Sequence, residues 1–312
     1  MTMLRSLLFA PGNHARRVEK ALTLDADGVI LDLEDACPVA EKVATRAVVV
    51  AALQKPRRAL GYVRINSLAT EFGHGDLGAV VQRGVDGVMP TKVNGPDEIQ
   101  SADRLMSALE RERGLALRSV DLLPLIETGL GLARAEAIAR ASPRVKRLAF
   151  GAGDFTLDMN IRWSRDETEL LAFRSALVLA SRAAGIEAPI DLAWIDTQDD
   201  EGFASSVRWG STLGFQGKLC IHPKHVEPIN RAFSPSEDDI AKARRVVDAF
   251  RDAEAKGSAA FALDGALVDY AIVFKAQRVL ERAAQVEARG RREDRTADTT
   301  THSRPDIAAT TQ

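Results

Sequence analysis

Two carboxylates end two neighbouring apolar runs in the middle of the chain and could together hold a metal ion. Glu127 ends the run LLPLIE, and Asp154 ends the run RLAFGAGD. The segment between them, 129–145, has the Ala, Leu and Arg content of a helix. Adjacent parallel strands lie about 4.8 Å apart, so acids at consecutive strand ends should converge. Their oxygens would suit a hard cation such as Mg²⁺, although either acid alone could simply cap the next helix.

Eight short apolar runs, separated by helical segments, would position these acids. They lie at residues 4–10, 28–33, 60–66, 86–93, 122–129, 147–154, 188–191 and 214–223. The runs are nearly continuous rather than alternating, which is typical of a parallel sheet covered on both faces. They predict an α/β fold, a (β/α)8 TIM barrel, which typically takes about 250 residues. A doubly wound open sheet is the alternative, but no G-x-G-x-x-G follows the first run.

Four more charged residues fall at the carboxyl ends of predicted strands. They are Asp32, Glu34, Arg64 and Lys92. Barrel enzymes build their active sites on this face, because the loops that follow the strands meet there. The sequence therefore predicts an active site in which these side chains accompany the two acids.

The composition indicates a globular protein rather than a nucleic-acid or membrane protein. Of the 312 residues, 46% are hydrophobic and 28% charged, and the net charge of -2 favours neither nucleic acid nor an anionic membrane as partner. Cys37 and Cys220 are too few for a disulfide framework or a thiolate metal cluster. No apolar run approaches the roughly 20 residues that span a bilayer. We therefore expect a cytoplasmic location.

Several short motifs together resemble the HpcH/HpaI aldolase and citrate lyase β-subunit (CitE-like) family. They are RSLLFAPGN with Lys20, LDLEDA, VRIN, IETG, GAGD, and GKLCIHP followed by PIN, and the resemblance as a whole runs from Arg5 to about Arg278. The chain is most similar to the acyl-CoA lyase branch, which includes malyl-CoA and citramalyl-CoA lyases. The resemblance implies a TIM barrel, one Mg²⁺, and reversible Claisen or aldol-type cleavage of a malyl-, citramalyl- or citryl-CoA thioester to acetyl-CoA and an oxo-acid.

The resemblance also assigns roles to the strand-end residues. Glu127 and Asp154 match the metal-binding acids, in agreement with the strand-end argument. Arg64 matches the catalytic arginine, whose guanidinium would stabilise the enolate oxygen of the thioester. Asp32 and Glu34 would then orient Arg64 or water held by the metal.

Other matched residues would bind CoA. Lys20 matches a position that contacts CoA, and Arg17 lies one turn earlier on the same helical face, where it could also be simply solvated. His222 and Pro223 follow the eighth strand and match the loop that seats the CoA chain. The remaining histidines considered, His14, His74 and His225, are expected at the surface.

The C-terminal part is expected to form a helical extension or lid. We divide the chain into a barrel at 1–233, a helical extension or lid at 234–288, and a disordered tail at 289–312. The segment AFALDGALVDY resembles a lid of the malyl-CoA lyase and thioesterase branch. Asp269 would there act as a catalytic carboxylate in a neighbouring subunit of a homotrimer or hexamer, although it could instead cap a helix.

Two other functions remain open at this point. The same site could pass the thioester to water, as in a malyl-CoA thioesterase. Alternatively, the chain could be a citrate lyase β subunit that acts on a citryl group held by an acyl carrier protein. The resemblance implies that this β subunit is generally shorter at its C-terminal end, so the lid segment favours an enzyme that acts alone on CoA esters.

Overall fold

The chain folds as two compact units. The computed structural model describes residues 3–255 and 257–301, with side chains described as far as residue 289. One unit comprises Leu4–Phe233, and the other comprises the residues from Ser234 onward together with the N-terminal residues up to Met3. Within the described residues, no helix combines the length and the hydropathy that crossing a bilayer would require.

Nine parallel strand segments form the sheet of the first unit. They are β1 Ser6–Pro11, β2 Gly28–Asp32, β3 Leu60–Ile65, β4 Gly87–Pro90, β5 Asp121–Leu122, β6 Leu125–Ile126, β7 Ala149–Phe150, β8 Ile190–Asp191 and β9 Gly217–Cys220. Their spatial order is β5-β4-β3-β2-β1-β9-β8-β7-β6. The sheet therefore begins and ends with segments that are neighbours in the sequence.

The fifth predicted strand is broken in the middle. Leu123 and Pro124 separate β5 from β6, because proline has no N–H to contribute to a strand ladder. The Leu123 N–H donates to the Val88 carbonyl at 2.9 Å on one side, and the Pro124 carbonyl accepts from the Ala149 N–H at 3.0 Å on the other. This strand joins the two ends of the sheet, so the eight predicted strands form an α/β barrel of the TIM type, as predicted.

Ten α-helices of the first unit surround these strands. They are α1 Ala15–Leu22, α2 Lys42–Leu53, α3 Gly73–Val80, α4 Pro96–Glu112, α5 Gly129–Ala133, α6 Ala135–Arg140, α7 Ala152–Asp158, α8 Leu171–Ala184, α9 Asp200–Leu213 and α10 Val226–Ala232. The single helix expected over 129–145 is divided between α5 and α6 at Arg134, whose φ and ψ of -108° and 10° are not helical. Gly129 and Gly131 make the first half a weak helix.

The apolar strands supply two hydrophobic layers. One fills the barrel interior and includes Leu7, Ile30, Tyr62 and Met89. The other lies between the strands and the helices and forms the larger core. All five residues of β2 are buried, which explains why its sequence shows no alternation of apolar and polar residues.

The described part of the second unit contains two helices and a hairpin. They are α11 Glu237–Ala255, β10 Phe261–Leu263, β11 Ala266–Val268 and α12 Tyr270–Thr301. The hairpin turns at Asp264 and Gly265, whose φ angles are 51° and 79°, as a tight Asp-Gly turn requires. The tail expected to be disordered from 289 begins within α12, and residues 302–312 lie outside the described part, so that expectation stays a prediction.

Candidate functional site

A cavity of about 990 Å³ opens at the carboxyl ends of the barrel strands. Eight of the ten site residues predicted from the sequence line it. They are Arg17, Lys20, Asp32, Arg64, Glu127, Asp154, His222 and Pro223. The ninth, Glu34, pairs with Arg64. The cavity floor is apolar and includes Leu8, Phe9 and Leu125.

Glu127 follows the last residue of β6 and is buried, with 2% of its surface exposed. Its Oε1 accepts the main-chain N–H of Lys92 at 2.8 Å. A Cβ at Gly151 would lie 2.6 Å from Glu127 Oε2, so only glycine leaves room for this carboxylate. Burial, and then the charges of Asp154 and Glu34, raise the pKa of Glu127 to about 8. Glu127 is therefore a buried acid that lacks sufficient positive charge around it.

Asp154 lies four residues beyond β7, in the first turn of α7, rather than at the strand end itself. Its side chain is 27% exposed, and its Oδ2 lies 3.4 Å from Nζ of Lys92. Asp154 lies close enough to Glu127 for its charge to help raise the pKa of Glu127. The predicted pair of acids is thus brought together in the structure.

Arg64 and Asp32 form a two-point ion pair beside these acids. Arg64 Nε and Nη2 donate to the two carboxylate oxygens of Asp32 at 2.7 and 2.6 Å. Burial acts to raise the pKa of Asp32, but the hydrogen bonds and charge of Arg64 outweigh it and hold that pKa below its usual value. The guanidinium also lies over the Phe9 ring, 5.0 Å from its centroid. Arg64 is therefore fixed in position, and 12% of its side chain is exposed.

Glu34 links Arg64 to Lys92. Its Oε2 lies 3.1 Å from Arg64 Nη1, and its Oε1 accepts a hydrogen bond from Lys92 Nζ. Burial raises the pKa of Glu34, and the two cations only partly offset this effect. Burial lowers the pKa of Lys92, but the hydrogen bond that its ammonium donates to Glu34, together with the nearby acids, raises it overall. The charges of the site thus form one continuous chain from Asp32 to Asp154.

The Asp32–Glu34 loop is held from below by a buried lysine. Lys42 Nζ donates to the carbonyls of Leu33 and Glu34 at 3.0 and 2.6 Å, and to Asn66 Oδ1 at 2.8 Å. Sequence reasoning did not assign a role to Lys42. The VRIN motif, which contains Asn66, is the signal that could have indicated this support.

The donor set of the site fits a divalent cation such as Mg²⁺. Glu127 and Asp154 provide hard oxygen donors, and the raised pKa of Glu127 shows an acid in need of a positive partner. Among the described residues, no three acid, histidine or cysteine side chains form a complete cage. Two carboxylates are nevertheless sufficient for Mg²⁺, which keeps several waters or substrate oxygens in its coordination sphere.

Cations and apolar side chains line the outer part of the cavity. Arg17 and Lys20 lie on exposed surface of α1, and Arg16, which sequence reasoning did not single out, lines the cavity with them. Trp163 and Ile221 also contribute to the lining. This part of the cavity can accept a ligand that carries both phosphates and an apolar chain.

The loop after β9 contains both a cavity residue and a buried histidine. His222 Nδ1 accepts the Lys224 N–H at 3.2 Å and so caps the turn that contains Pro223. His225 is not at the surface as expected, because it is only 1% exposed and stacks on Phe203 with ring centroids 3.9 Å apart. Burial lowers the pKa of His225 to about 4, so it remains neutral.

Asp269 lies in the second unit, outside the set of residues that line the cavity. Its Oδ1 accepts the Ile272 N–H at 3.1 Å, so it occupies the capping position of α12 that the sequence left open as an alternative. Its proposed catalytic role stays a prediction.

The barrel and its strand-end acids define the class of the protein as an α/β-barrel enzyme. The profile of the HpcH/HpaI aldolase/citrate lyase family matches residues 5–223, and the chain belongs to this family. The citrate lyase subunit beta of Haemophilus influenzae is 35% identical over 91% of this chain and 98% of its own length. The L-malyl-CoA/beta-methylmalyl-CoA lyase of Cereibacter sphaeroides is 33% identical over 91% of this chain and 96% of its own length. The protein is thus a carbon–carbon lyase related to enzymes of CoA esters.

Solved structures agree with this assignment. Protein CitE of Mycobacterium tuberculosis, in complex with magnesium, acetoacetate and coenzyme A, is 29% identical, with a TM-score of 0.74 over 90% of this chain and 98% of that chain. A citrate lyase of Burkholderia xenovorans has the same fold, with a TM-score of 0.82 at 20% identity over 92% of this chain and 93% of that chain. The predicted family is therefore confirmed.

The length of the alignment with the citrate lyase β subunit bears on the expectation that such subunits are shorter at the C-terminal end. The barrel unit Leu4–Phe233 makes up about three quarters of the chain, whereas the alignment with the Haemophilus subunit covers 91% of the chain. That alignment must extend into the second unit. The lid segment therefore does not separate the CoA-ester branch from the citrate lyase β subunits, contrary to our expectation.

Proposed function

We propose that this protein is a Mg²⁺-dependent lyase that cleaves a β-hydroxyacyl-CoA thioester of the malyl or citramalyl type to acetyl-CoA and an oxo-acid. The observation that carries this proposal is the placement of Arg64 beside Glu127 and Asp154 in one cavity. The relatives that act on malyl-CoA, and the CitE complex with magnesium and coenzyme A, support it.

The residues of this chain can divide the reaction between them. Glu127 and Asp154 would hold the Mg²⁺ ion, which when bound polarises the hydroxyl and carboxylate oxygens of the substrate. Loss of the β-hydroxyl proton to a base breaks the bond between the α and β carbons, and that electron pair forms the enolate of the acetyl thioester. Arg64, fixed by Asp32, donates hydrogen bonds to the enolate oxygen. Return of the proton to the α carbon then gives acetyl-CoA.

The outer cavity would hold the CoA portion of the substrate. Arg17 and Lys20 can bind its phosphates, while the loop at His222 and Pro223 lies along the same cavity and can seat the pantetheine chain. The apolar side chains Trp163 and Ile221 exclude water from that chain.

We propose Asp269 of a neighbouring subunit as the base, in a homotrimer or hexamer. Asp269→Ala should then abolish turnover while leaving Mg²⁺ and CoA binding intact. Mixing Asp269→Ala with Glu127→Gln protomers should restore part of the activity, because some shared sites would combine both intact residues. The measurement is turnover after subunit exchange demonstrated by mass-tagged protomers. No recovery after exchange would contradict a base supplied in trans.

The function is tested by supplying the purified protein and Mg²⁺ with malyl-, citramalyl- and citryl-CoA. We expect equal amounts of oxo-acid and acetyl-CoA from one of the first two esters. Oxo-acid is followed by its hydrazone, and free thiol is measured separately. Free thiol without oxo-acid would identify a thioesterase instead, and no product from any ester would contradict both activities.

A citrate lyase β subunit is the second candidate, because the 35% identical Haemophilus relative matches both units of this chain. In that case a citryl group on an acyl carrier protein would be cleaved and the CoA esters would not. Separate assays with citryl-loaded carrier protein and with citryl-CoA distinguish the two candidate functions, because the two substrates differ only in the group that carries the citryl thioester.

A further inference from the structure

Lys92 contacts three carboxylates of the site through two different groups. Its main-chain N–H donates to Glu127 at 2.8 Å, while its ammonium pairs with Glu34 and lies 3.4 Å from Asp154. Its φ of 52° is in the left-handed region, which costs energy for a residue other than glycine. In this backbone conformation, the main-chain N–H and the ammonium of Lys92 both contact acids of the same site.

The charges of the site balance only when Lys92 is included. Four carboxylates face two cations, Arg64 and Lys92, so a bound divalent ion would bring the local sum to zero. The four carboxylates are Asp32, Glu34, Glu127 and Asp154. Asp35 also approaches Arg64, at 3.7 Å, but it is 61% exposed and largely screened by solvent. Without Lys92, the metal-loaded site would carry a net negative charge toward an incoming anion.

We propose that Lys92 is a positioning residue that sets this balance, weakening Mg²⁺ binding and strengthening the binding of the oxo-acid anion. The inference rests on the proposed function. Its ammonium competes with the metal for Asp154, and once the metal is bound it reduces repulsion of the substrate carboxylate. The charge of Lys92 therefore lowers the affinity for Mg²⁺ and raises the affinity for the oxo-acid anion.

The test is Lys92→Met in the full-length, metal-free protein, measured by calorimetry. Mg²⁺ alone should bind about tenfold more tightly to this variant than to the wild type. A tenfold change is smaller than the full interaction energy of two adjacent charges in a protein would give. Pyruvate, added at saturating Mg²⁺, should bind about tenfold more weakly. Lys92→Gln should show the same opposite changes, and Lys92→Arg should keep both affinities near those of the wild type.

Lys146→Met is the matched control, because it removes an ammonium paired with Asp121 away from the cavity. It should change neither affinity. The role proposed for Lys92 would be overturned if both neutral variants bound Mg²⁺ and pyruvate more weakly, if neither affinity changed, or if both variants failed to fold. None of these results would contradict the proposed function. A wild-type protein that binds no Mg²⁺ would overturn the proposed function and this inference with it.

Discussion

Glu127→Gln and Asp154→Asn are each expected to lower kcat by about 10²- to 10³-fold or more, because each would remove a charged oxygen donor to the proposed Mg²⁺, and a bound metal ion supplies several kcal/mol of transition-state stabilisation. The fold survives the first change, since Gln fills the same space and removes a buried charge whose pKa is already raised by burial. The measurements are steady-state kinetics and the shift in Tm on addition of Mg²⁺. The wild type should show such a shift, and Glu127→Gln should show little or none.

Glu98→Gln is the matched control for this prediction. Glu98 also accepts a main-chain N–H at 2.8 Å, from Asn94, and burial also raises its pKa, but it does not line the cavity. Its substitution should leave kcat and the Mg²⁺-dependent shift unchanged. Full activity of EDTA-treated wild type would show that Glu127 and Asp154 do not serve a metal.

Arg64→Lys lowers kcat by about 10²-fold or more with little change in KM, because it keeps the charge but loses the planar two-point contact that aims Arg64 at the developing enolate. An interaction made only in the transition state lowers kcat and kcat/KM together. The measurement is kcat and KM with the ester that the wild type cleaves.

Arg5→Lys provides a close control for the loss of an ion pair. Arg5 contacts Asp27 through Nε and Nη2 at 2.9 and 2.8 Å, and its side chain is 12% exposed, as is that of Arg64. It does not line the cavity, so its substitution should affect stability but not kcat. Equal losses of kcat in the two variants would assign Arg64 to structure rather than chemistry.

The barrel and most of the site could be predicted because both follow from short-range patterns. Strands buried on both faces must be apolar, and β2 shows this along its whole length. Glu127 and Asp32 follow from the rule that polar residues at the carboxyl ends of barrel strands gather on one face. The Asp264-Gly265 pair is likewise a turn signal in the sequence, and it forms the turn of the β10–β11 hairpin.

The parts that could not be predicted depend on tertiary contacts. Three arginines, Arg144, Arg147 and Arg174, are almost fully buried, although their sequence context is that of ordinary charged segments. Their burial depends on acids distant in the chain, as in the pair of Arg144 with Glu110 at 2.6 Å. The contacts of Lys92 with three acids could not be predicted either, because a left-handed backbone conformation and a long flexible side chain leave no periodic pattern in the sequence.

The space kept open at Gly151 offers a way to interpret other sequences of this family. A Cβ at this position would also lie 2.8 Å from the Cβ of Glu127, which is too close for the glutamate to avoid by rotating its outer atoms. A homologue that keeps both proposed metal-binding acids but has any larger residue here is expected not to bind the proposed Mg²⁺. One position without a side chain can thus distinguish active lyases from inactive descendants that the acids alone would not reveal.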